Sequence, residues 1–401
     1  MIVFKSVLFV AMIFITSSMA DRKLHAELNP GCFEPDHCTS VSKLLYIRAD
    51  GDNDTVHYLF DFTQKPSLVI VTTANNANIL VKYNETQSNV TIKFTKAPFY
   101  TFASVFNKMY EFDDVNDTAL LNNGKHYLTI DFKKYDWNMN LFKININESV
   151  EVNISSNLYR APSITKTGTV SITLKVYGKK DKGSKLPHLV HTPESGELTL
   201  TLDQLSTKFS SSRFAVELLT LSSFPFNKSE KLVAEQFSDD KSSSGTFVTY
   251  LMDTKGEEDE EGGGYLSWRP VVYKAANTHA LNSSSTAQYT IQDYNSQDNE
   301  IDWISTPLYK LYGNELFKNS YLLKATNVSF GEPADGYYAK SNYLYWTFLV
   351  GVGAPPSSSL GFLEMSIIAS LLLMLTITMI LLFCIFMRWM SSKRNSIIYG
   401  Q

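Results

Sequence analysis

The stretch YLYWTFLVGVGAPP, Tyr343–Pro356, followed closely by the uncharged run Met365–Met387, decides how this chain is read. The first part is rich in aromatic and β-branched residues and ends in two prolines, which predicts a closing strand and a stiff exit. The second part holds 23 residues without a charge, long enough as a helix to cross a hydrocarbon core of roughly 30 Å. Arg388, Lys393 and Arg394 follow the run and Glu364 precedes it, an asymmetry that predicts a cytosolic C-terminus. At the other end, Lys5, the apolar segment Val7–Ile15 and Ser18-Met19-Ala20 form a signal-peptide pattern, so residues 1–20 are set aside from the fold. The expected topology is single-pass type I, with 21–364 lumenal, 365–387 spanning the bilayer and 388–401 in the cytosol.

The formal net charge is −4, and removing Lys5 and the three tail cations leaves −8 on the lumenal part. That balance excludes the basic footprint of a nucleic-acid-binding protein. Seven histidines, with an ordinary pKa of about 6.5, are expected to charge near pH ~5 and nearly cancel the −8, which suits an acidic compartment. Of three cysteines, Cys32 and Cys38 are the only pair outside the span, so a short-loop disulfide is expected. The alternative, a metal site of Cys-x5-Cys around His37, lacks further ligands. Cys384 sits at the inner end of the span. Asn-x-Ser/Thr occurs at Asn53, Asn84, Asn89, Asn116, Asn147, Asn153, Asn227, Asn282 and Asn327. Each is a candidate N-glycosylation site and, where used, must face solvent.

Residues 21–40, with two prolines and the cysteine pair, read as irregular. From Lys43 onward the pattern is period-2. Strands are predicted at Leu44–Ala49, Val56–Phe62, Leu68–Thr73, Ile79–Tyr83, Val90–Phe94, Phe102–Phe106, Tyr127–Phe132, Leu141–Ile144, Val150–Ile154 and Val170–Tyr177. After the polar segment Lys179–Lys185, a second series covers Glu197–Asp203, Phe214–Leu221, Thr246–Met252, Tyr265–Lys274, Gln288–Gln292 and Tyr321–Phe330. Short strands at this spacing without intervening helices predict an all-β ectodomain of antiparallel sandwich type. It is expected in two sandwich-like halves, 21–180 and 181–364, followed by one transmembrane helix.

No G-x-S-x-G, H-E-x-x-H, P-loop or dinucleotide motif is present. His188 and His191 lie three apart on an extended segment and so face opposite sides, which disfavours a shared metal. Asp50–Asp54 resembles half of a calcium loop but lacks the distal bidentate Glu, and Glu257–Gly264 reads as a solvated acidic loop. No catalytic residue, cofactor or metal is expected. In the span, Ser366 and Ser370 are candidate helix-packing positions, small residues at i and i+4.

LLYIRADGDNDTVHY (Leu44–Tyr58) resembles the opening block of the glycosylated lysosomal membrane protein family, and FASVFNKMYEFDDVNDTA (Phe102–Ala119) resembles its next block. WRPVVY (Trp268–Tyr273) and LVGVGAPP (Leu349–Pro356) are similar to two further family motifs, with weaker echoes at Leu189–Thr192 and Asn327–Gly331. The resemblance implies a heavily N-glycosylated lysosomal type I membrane protein without catalysis. It further implies an accessory subunit that binds a multispanning lysosomal major-facilitator transporter of dipeptides and protects it from lumenal proteolysis. The tail departs from the family pattern. Tyr399 is followed only by Gly400 and Gln401, and Ile397-Ile398 has Lys393 where a dileucine signal has an acid. Ile397, Ile398 and Tyr399 are the candidate sorting residues. The topology alone also fits a cell-surface receptor or adhesion glycoprotein, and a spatially assembled carboxylate pair would make a lysosomal hydrolase.

Overall fold

The structure, a computed structural model, describes residues 21–32, 38, 42–84, 89–121, 126–145, 148–161, 164–223, 230–238, 246–254, 263–276, 282–294, 303–317, 321–356 and 362–398. The chain divides into two compact units, Met1–Pro356 and Ser357–Gln401.

In the large unit the chain opens with β1 (Lys23–Leu28), β2 (Leu44–Asp50), β3 (Asp54–Asp61) and β4 (Ser67–Ala74). A hairpin of β5 (Ile79–Asn84) and β6 (Asn89–Phe94) leads into the long β7 (Pro98–Asp113) and then β8 (Tyr127–Asp131). Next come β9 (Asn138–Asn145), β10 (Ser149–Ser156), β11 (Thr169–Tyr177), the short pair β12 (Asp181–Lys182) and β13 (Val190–His191), β14 (Ser195–Asp203) and β15 (Ser212–Ser223). They are followed by β16 (Glu230–Ser238), β17 (Thr246–Thr254), β18 (Gly264–Trp268), β19 (Val271–Tyr273), β20 (Ser283–Gln288) and β21 (Gln292–Asp293). Helix α1 (Pro307–Tyr312), β22 (Tyr321–Phe330) and β23 (Tyr343–Val352) complete the unit, and α2 (Phe362–Ile398) forms the second.

One sheet runs β1–β2–β3–β4–β7–β15–β22, every pair antiparallel. The length of β7 lets it serve β4 and then β8 along one edge. The other sheet runs β9–β10–β11–β14–β23–β18–β17–β16, also antiparallel. β20 pairs with β19 of one sheet and β22 of the other, joining them at one side. At the opposite side the Arg22 amide donates to the Gly178 carbonyl at 2.7 Å. The two strand series on either side of Lys179–Lys185 therefore share both sheets, through β7 with β15 and β11 with β14.

Alternation places Val150, Val152 and Ile154 inward and leaves Glu151, Asn153 and Ser155 outward. The main core lies between the sheets, where Tyr58, Phe102 and Phe106 meet Leu174, Trp346 and Phe348. The first sheet is also buried on its far side. There Leu59, Val69, Val71 and Leu219 pack under Val90 and Ile92 of the hairpin and under Leu308 of α1. Burial on both faces explains why β4 departs from the period-2 pattern expected from Lys43 onward and carries the unbroken apolar run Leu68–Val71.

Several expectations shift. Residues 21–40 are not wholly irregular, because Lys23–Leu28 forms β1. Its polar outward residues hide an inward row of Leu24, Ala26 and Leu28. The strand predicted at Phe102–Phe106 extends over Pro98–Asp113. The run Tyr265–Lys274 is split at Arg269-Pro270 into β18 and β19, since proline cannot donate to a ladder. Gln288–Gln292 is displaced, the pairing residues being Ser283–Gln288. β16 and α1 have no counterpart among the predicted elements.

The glycine spacing in the Leu349–Pro356 motif now has a cause. A side chain at Gly351 would enter the ring of Tyr265, which is fully buried. Gly353 has φ 82° and donates its amide to the Gly263 carbonyl at 2.8 Å, ending the strand.

Candidate functional site: the sequon-bearing surface and the apolar helix

Three sequons lie on exposed turns or loops. Asn53 sits in the β2–β3 turn, Asn116 follows β7, and Asn282 precedes β20. Two others sit inside strands and are half-buried. Asn153 on β10 donates to Thr173 Oγ1 at 2.8 Å, and Asn327 on β22 has a buried Oδ1 that accepts no hydrogen bond among the described residues. Asn84 and Asn89 close the β5–β6 hairpin. Asn147 and Asn227 lie outside the described residues.

The Asn116 loop shows how this surface is held. Asp114 accepts from the Thr118 amide, the Thr118 hydroxyl and the Ala119 amide at 2.7–2.9 Å, which fixes the turn around the sequon. Arg213 of β15, almost fully buried, pairs with Asp114 at 2.8 Å, with Asp335 at 2.7 Å, and with Asp117. Lys274 adds a second cation on Asp335 at 2.6 Å. Burial alone would push the Asp335 carboxyl up, but Lys274, Ser284 and Arg213 outweigh it and hold it below the usual range. This cluster is not legible in the sequence, because its members are far apart in the chain. The one local signal was Asp113-Asp114 just before a sequon.

Other ionisable groups are similarly committed. Arg22 forks onto Asp54 at 2.8 and 3.0 Å and reaches Glu194 at 2.8 Å, tying the beginning of β1 to both sheets. Lys166 pairs with the fully buried Glu111, and Lys65 bonds Asn107, the extra residue of a bulge where β7 slips against β15. Asp50 and Asp54, the half calcium loop of the sequence, are occupied by Arg48 at 2.7 Å and by Arg22. Among the described residues no group of three or more His, Cys, Asp or Glu is arranged to hold a metal ion. His188 and His191 have different partners, the Gly183 and Lys179 carbonyls.

Two of the seven histidines are kept from charging in an acidic compartment. His57 is buried beside Phe94, bonded to Tyr46 at 2.7 Å and to Thr73 at 2.9 Å, and burial lowers its pKa to about 4. His191, stacked on Tyr177, is likewise lowered by burial to about 4. Both stay neutral near pH ~5, so at most five of the seven histidines charge there and the −8 is not cancelled. The sign of the linkage follows. These bases bind a proton more readily when unfolded, so their contribution is full above about pH 6.5 and declines as pH falls toward 4. From 1.36 kcal/mol per unit, each is expected to lower stability by about 2 kcal/mol at pH 5 relative to pH 8. Glu197, raised by burial, acts in the opposite direction. Urea unfolding of the full chain in detergent at pH 8 and pH 5 isolates the histidine contribution. His57→Gln is expected to flatten the pH dependence by about 2 kcal/mol, and an unchanged slope would refute the assignment.

Cys32 and Cys38 form a disulfide with a Cα–Cα distance of 6.2 Å. Within α2, Ala369–Met390 has a mean hydropathy of 2.7, long and apolar enough to cross a membrane, and it contains the predicted span from Ala369 onward. Ser370 lies on this helix and is exposed, and Ser366 lies one turn before it. Ile397 and Ile398 end the helix, and Tyr399 is outside the described residues.

An antiparallel β-sandwich with sequons on its turns, followed among the described residues by one helix long and apolar enough to cross a membrane, has the pattern of a membrane-anchored glycoprotein. Comparison with known proteins makes this specific: residues 43–394 match the family described as glycosylated lysosomal membrane protein, and the chain belongs to that family. Glycosylated lysosomal membrane protein B of Xenopus laevis is 24% identical over 358 residues, covering 87% of this chain and 85% of the relative. The Homo sapiens protein is 25% identical over 368 residues, covering 87% and 83%, and that of Mus musculus is 26% identical over 331 residues, covering 78% and 76%. These relatives are named as lysosomal membrane proteins and not as enzymes.

Proposed function

We infer that this chain is a non-catalytic accessory subunit, oriented type I, whose lumenal sandwich binds, stabilises and shields a multispanning lysosomal major-facilitator transporter of dipeptides from lumenal proteolysis. The observation that carries this reading is a family match over residues 43–394, which takes in both the sandwich and the apolar helix. The commitment of buried charges to cross-strand pairs supports it. Arg22, Glu111, Lys166 and Arg213 each join elements distant in sequence, which suits a rigid cover more than a reactive cleft. Proteases cut segments that are exposed or open locally, so a stable sheet lying on such segments lengthens the partner's lifetime.

Purification of the full chain in mild detergent tests the reading. A multispanning transporter is expected at near-stoichiometric yield, and deletion of the chain is expected to shorten that transporter's lifetime in lysosomes without changing its synthesis. Recovery of the chain alone, or a partner whose turnover ignores the deletion, would overturn it.

A further inference from the structure

A cleft of about 660 Å³ lies between the outer face of β1–β2 and the base of the β5–β6 hairpin. It falls within the roughly 300–1,000 Å³ range of ligand-sized sites. The antiparallel register places His25 opposite Arg48 and Glu27 opposite Tyr46, so all four side chains face it from one side. Asp50 and Asn78 complete the polar lining. Tyr46 is fixed in the floor by its bond to His57 at 2.7 Å. Arg48 is held in place by Asp50 at 2.7 Å and by Asn78 at 2.8 Å. Glu27 and His25 are exposed at the rim and, among the described residues, hold no hydrogen-bond or ion-pair partner.

The chemistry of this lining is carboxylate, guanidinium, imidazole and amide around a tyrosine. Planar polar groups of these kinds offer paired acceptors and donors, the complement of adjacent hydroxyls on a sugar ring. A source of sugar is built in beside it. Asn53, exposed and part of an Asn-x-Thr sequon, lies three residues beyond Asp50. Its turn is tied to the β4–β5 connection by the Asn75 amide, which donates to the Asp52 carbonyl at 3.5 Å. A glycan on Asn53 is therefore rooted on the turn that directly follows Asp50, a residue of the cleft lining. Tethering raises its effective concentration to about the millimolar range, enough to fill a weak site.

We propose that this cleft is a carbohydrate-binding site occupied by the N-glycan carried on Asn53 of the same chain. The docked glycan bridges β1, β2 and the hairpin, and it is sheltered from the enzymes that trim and extend glycans during secretion. Docking of this glycan needs no partner protein.

Site-specific glycopeptide mass spectrometry on the full chain, isolated from cells in detergent, tests it. Asn53 is expected to retain high-mannose glycan while Asn116 and Asn282, on open loops, carry processed forms. The double variant His25→Ala/Glu27→Ala removes two exposed side chains that hold no hydrogen-bond or ion-pair partner among the described residues, and circular dichroism checks that the fold is kept. Losing about two hydrogen bonds weakens docking by roughly ten- to a hundredfold, and the processed fraction at Asn53 is expected to rise accordingly. An unoccupied Asn53, processed glycan at Asn53 in the unaltered chain, or a high-mannose glycan unmoved by the double variant would each overturn the proposal.

Discussion

Trp346→Ala is expected to lower the unfolding free energy of the sandwich by about 3–5 kcal/mol, the range for a large aromatic side chain removed from a packed core. Trp346 is fully buried on β23, which runs between β14 and β18 in the second sheet. Its ring stacks on Phe348 at 4.7 Å, leans on Phe330 at 5.4 Å and meets Trp268 edge-on at 6.1 Å. Phe330 belongs to β22 of the first sheet, so the truncation opens a cavity where the two layers meet. Against a total stability of about 5–15 kcal/mol, such a loss leaves a substantial unfolded fraction during synthesis. Retention before the lysosome should follow. Trp346→Phe separates ring packing from polarity. The indole Nε1 makes no hydrogen bond among the described residues, and an unpaired buried donor itself costs about 1–3 kcal/mol. Phenylalanine keeps most of the contacts and removes that donor, so it is expected to fall within about 1.5 kcal/mol of the unaltered chain. Urea unfolding measures both variants. A mild Trp346→Ala, or a Trp346→Phe as damaging as alanine, would show that the core is not organised around this ring.

What the sequence made readable follows from which faces are buried. Strands with one dry face, such as β10, β11 and β14, announce themselves by alternation. The span announces itself by length without charge. β1 escapes because three of its six residues are Lys, His and Glu, and its apolar row acquires meaning only once β2 is beside it. The pairing of β7 with β15 joins residues about a hundred positions apart, and no local pattern encodes that distance. The Asn107 bulge is hidden for a related reason. An Asn in a strand looks unfavourable until Lys65 and Glu217 are seen to satisfy it. The titratable groups were misread in the other direction. His57 and His191 count as ordinary histidines in a composition, and only burial against Phe94 and Tyr177 takes them out of the acid-charging set. The motifs were recognised as motifs, but their causes lie in space, as with Gly351 against Tyr265.

Arg213→Met should be as damaging as the tryptophan truncation, about 3–5 kcal/mol near neutral pH, but by an electrostatic route with its own signature. Asp114 is as buried as the arginine, and Asp335 nearly so. Methionine fills much of the volume yet leaves Asp114 without its cation and Asp335 with Lys274 alone. Asp335 loses one of the three partners that hold its carboxyl down, so its folded-state pKa is expected to move up from its depressed position. In the unaltered chain Asp335 is held low, and its stabilising contribution persists down through acidic pH until that carboxyl finally protonates. In the variant that contribution is smaller, because the folded form binds a proton more readily than it does in the unaltered chain, so the two stability curves converge as pH falls through the carboxylate range. The deficit relative to the unaltered chain is therefore expected to be largest at pH 7 and to shrink toward pH 4. Gly331 adds a steric check on the same centre, because a side chain there would enter the guanidinium of Arg213. Gly331→Ala should therefore be strongly destabilising in the unaltered chain. In the Arg213→Met background it should cost less, since only the backbone strain of its φ of 124° remains. Paired unfolding curves at pH 7 and pH 4 decide the matter. A deficit that does not depend on pH would mean that Arg213 acts by filling space, and that the three aspartates find partners without it.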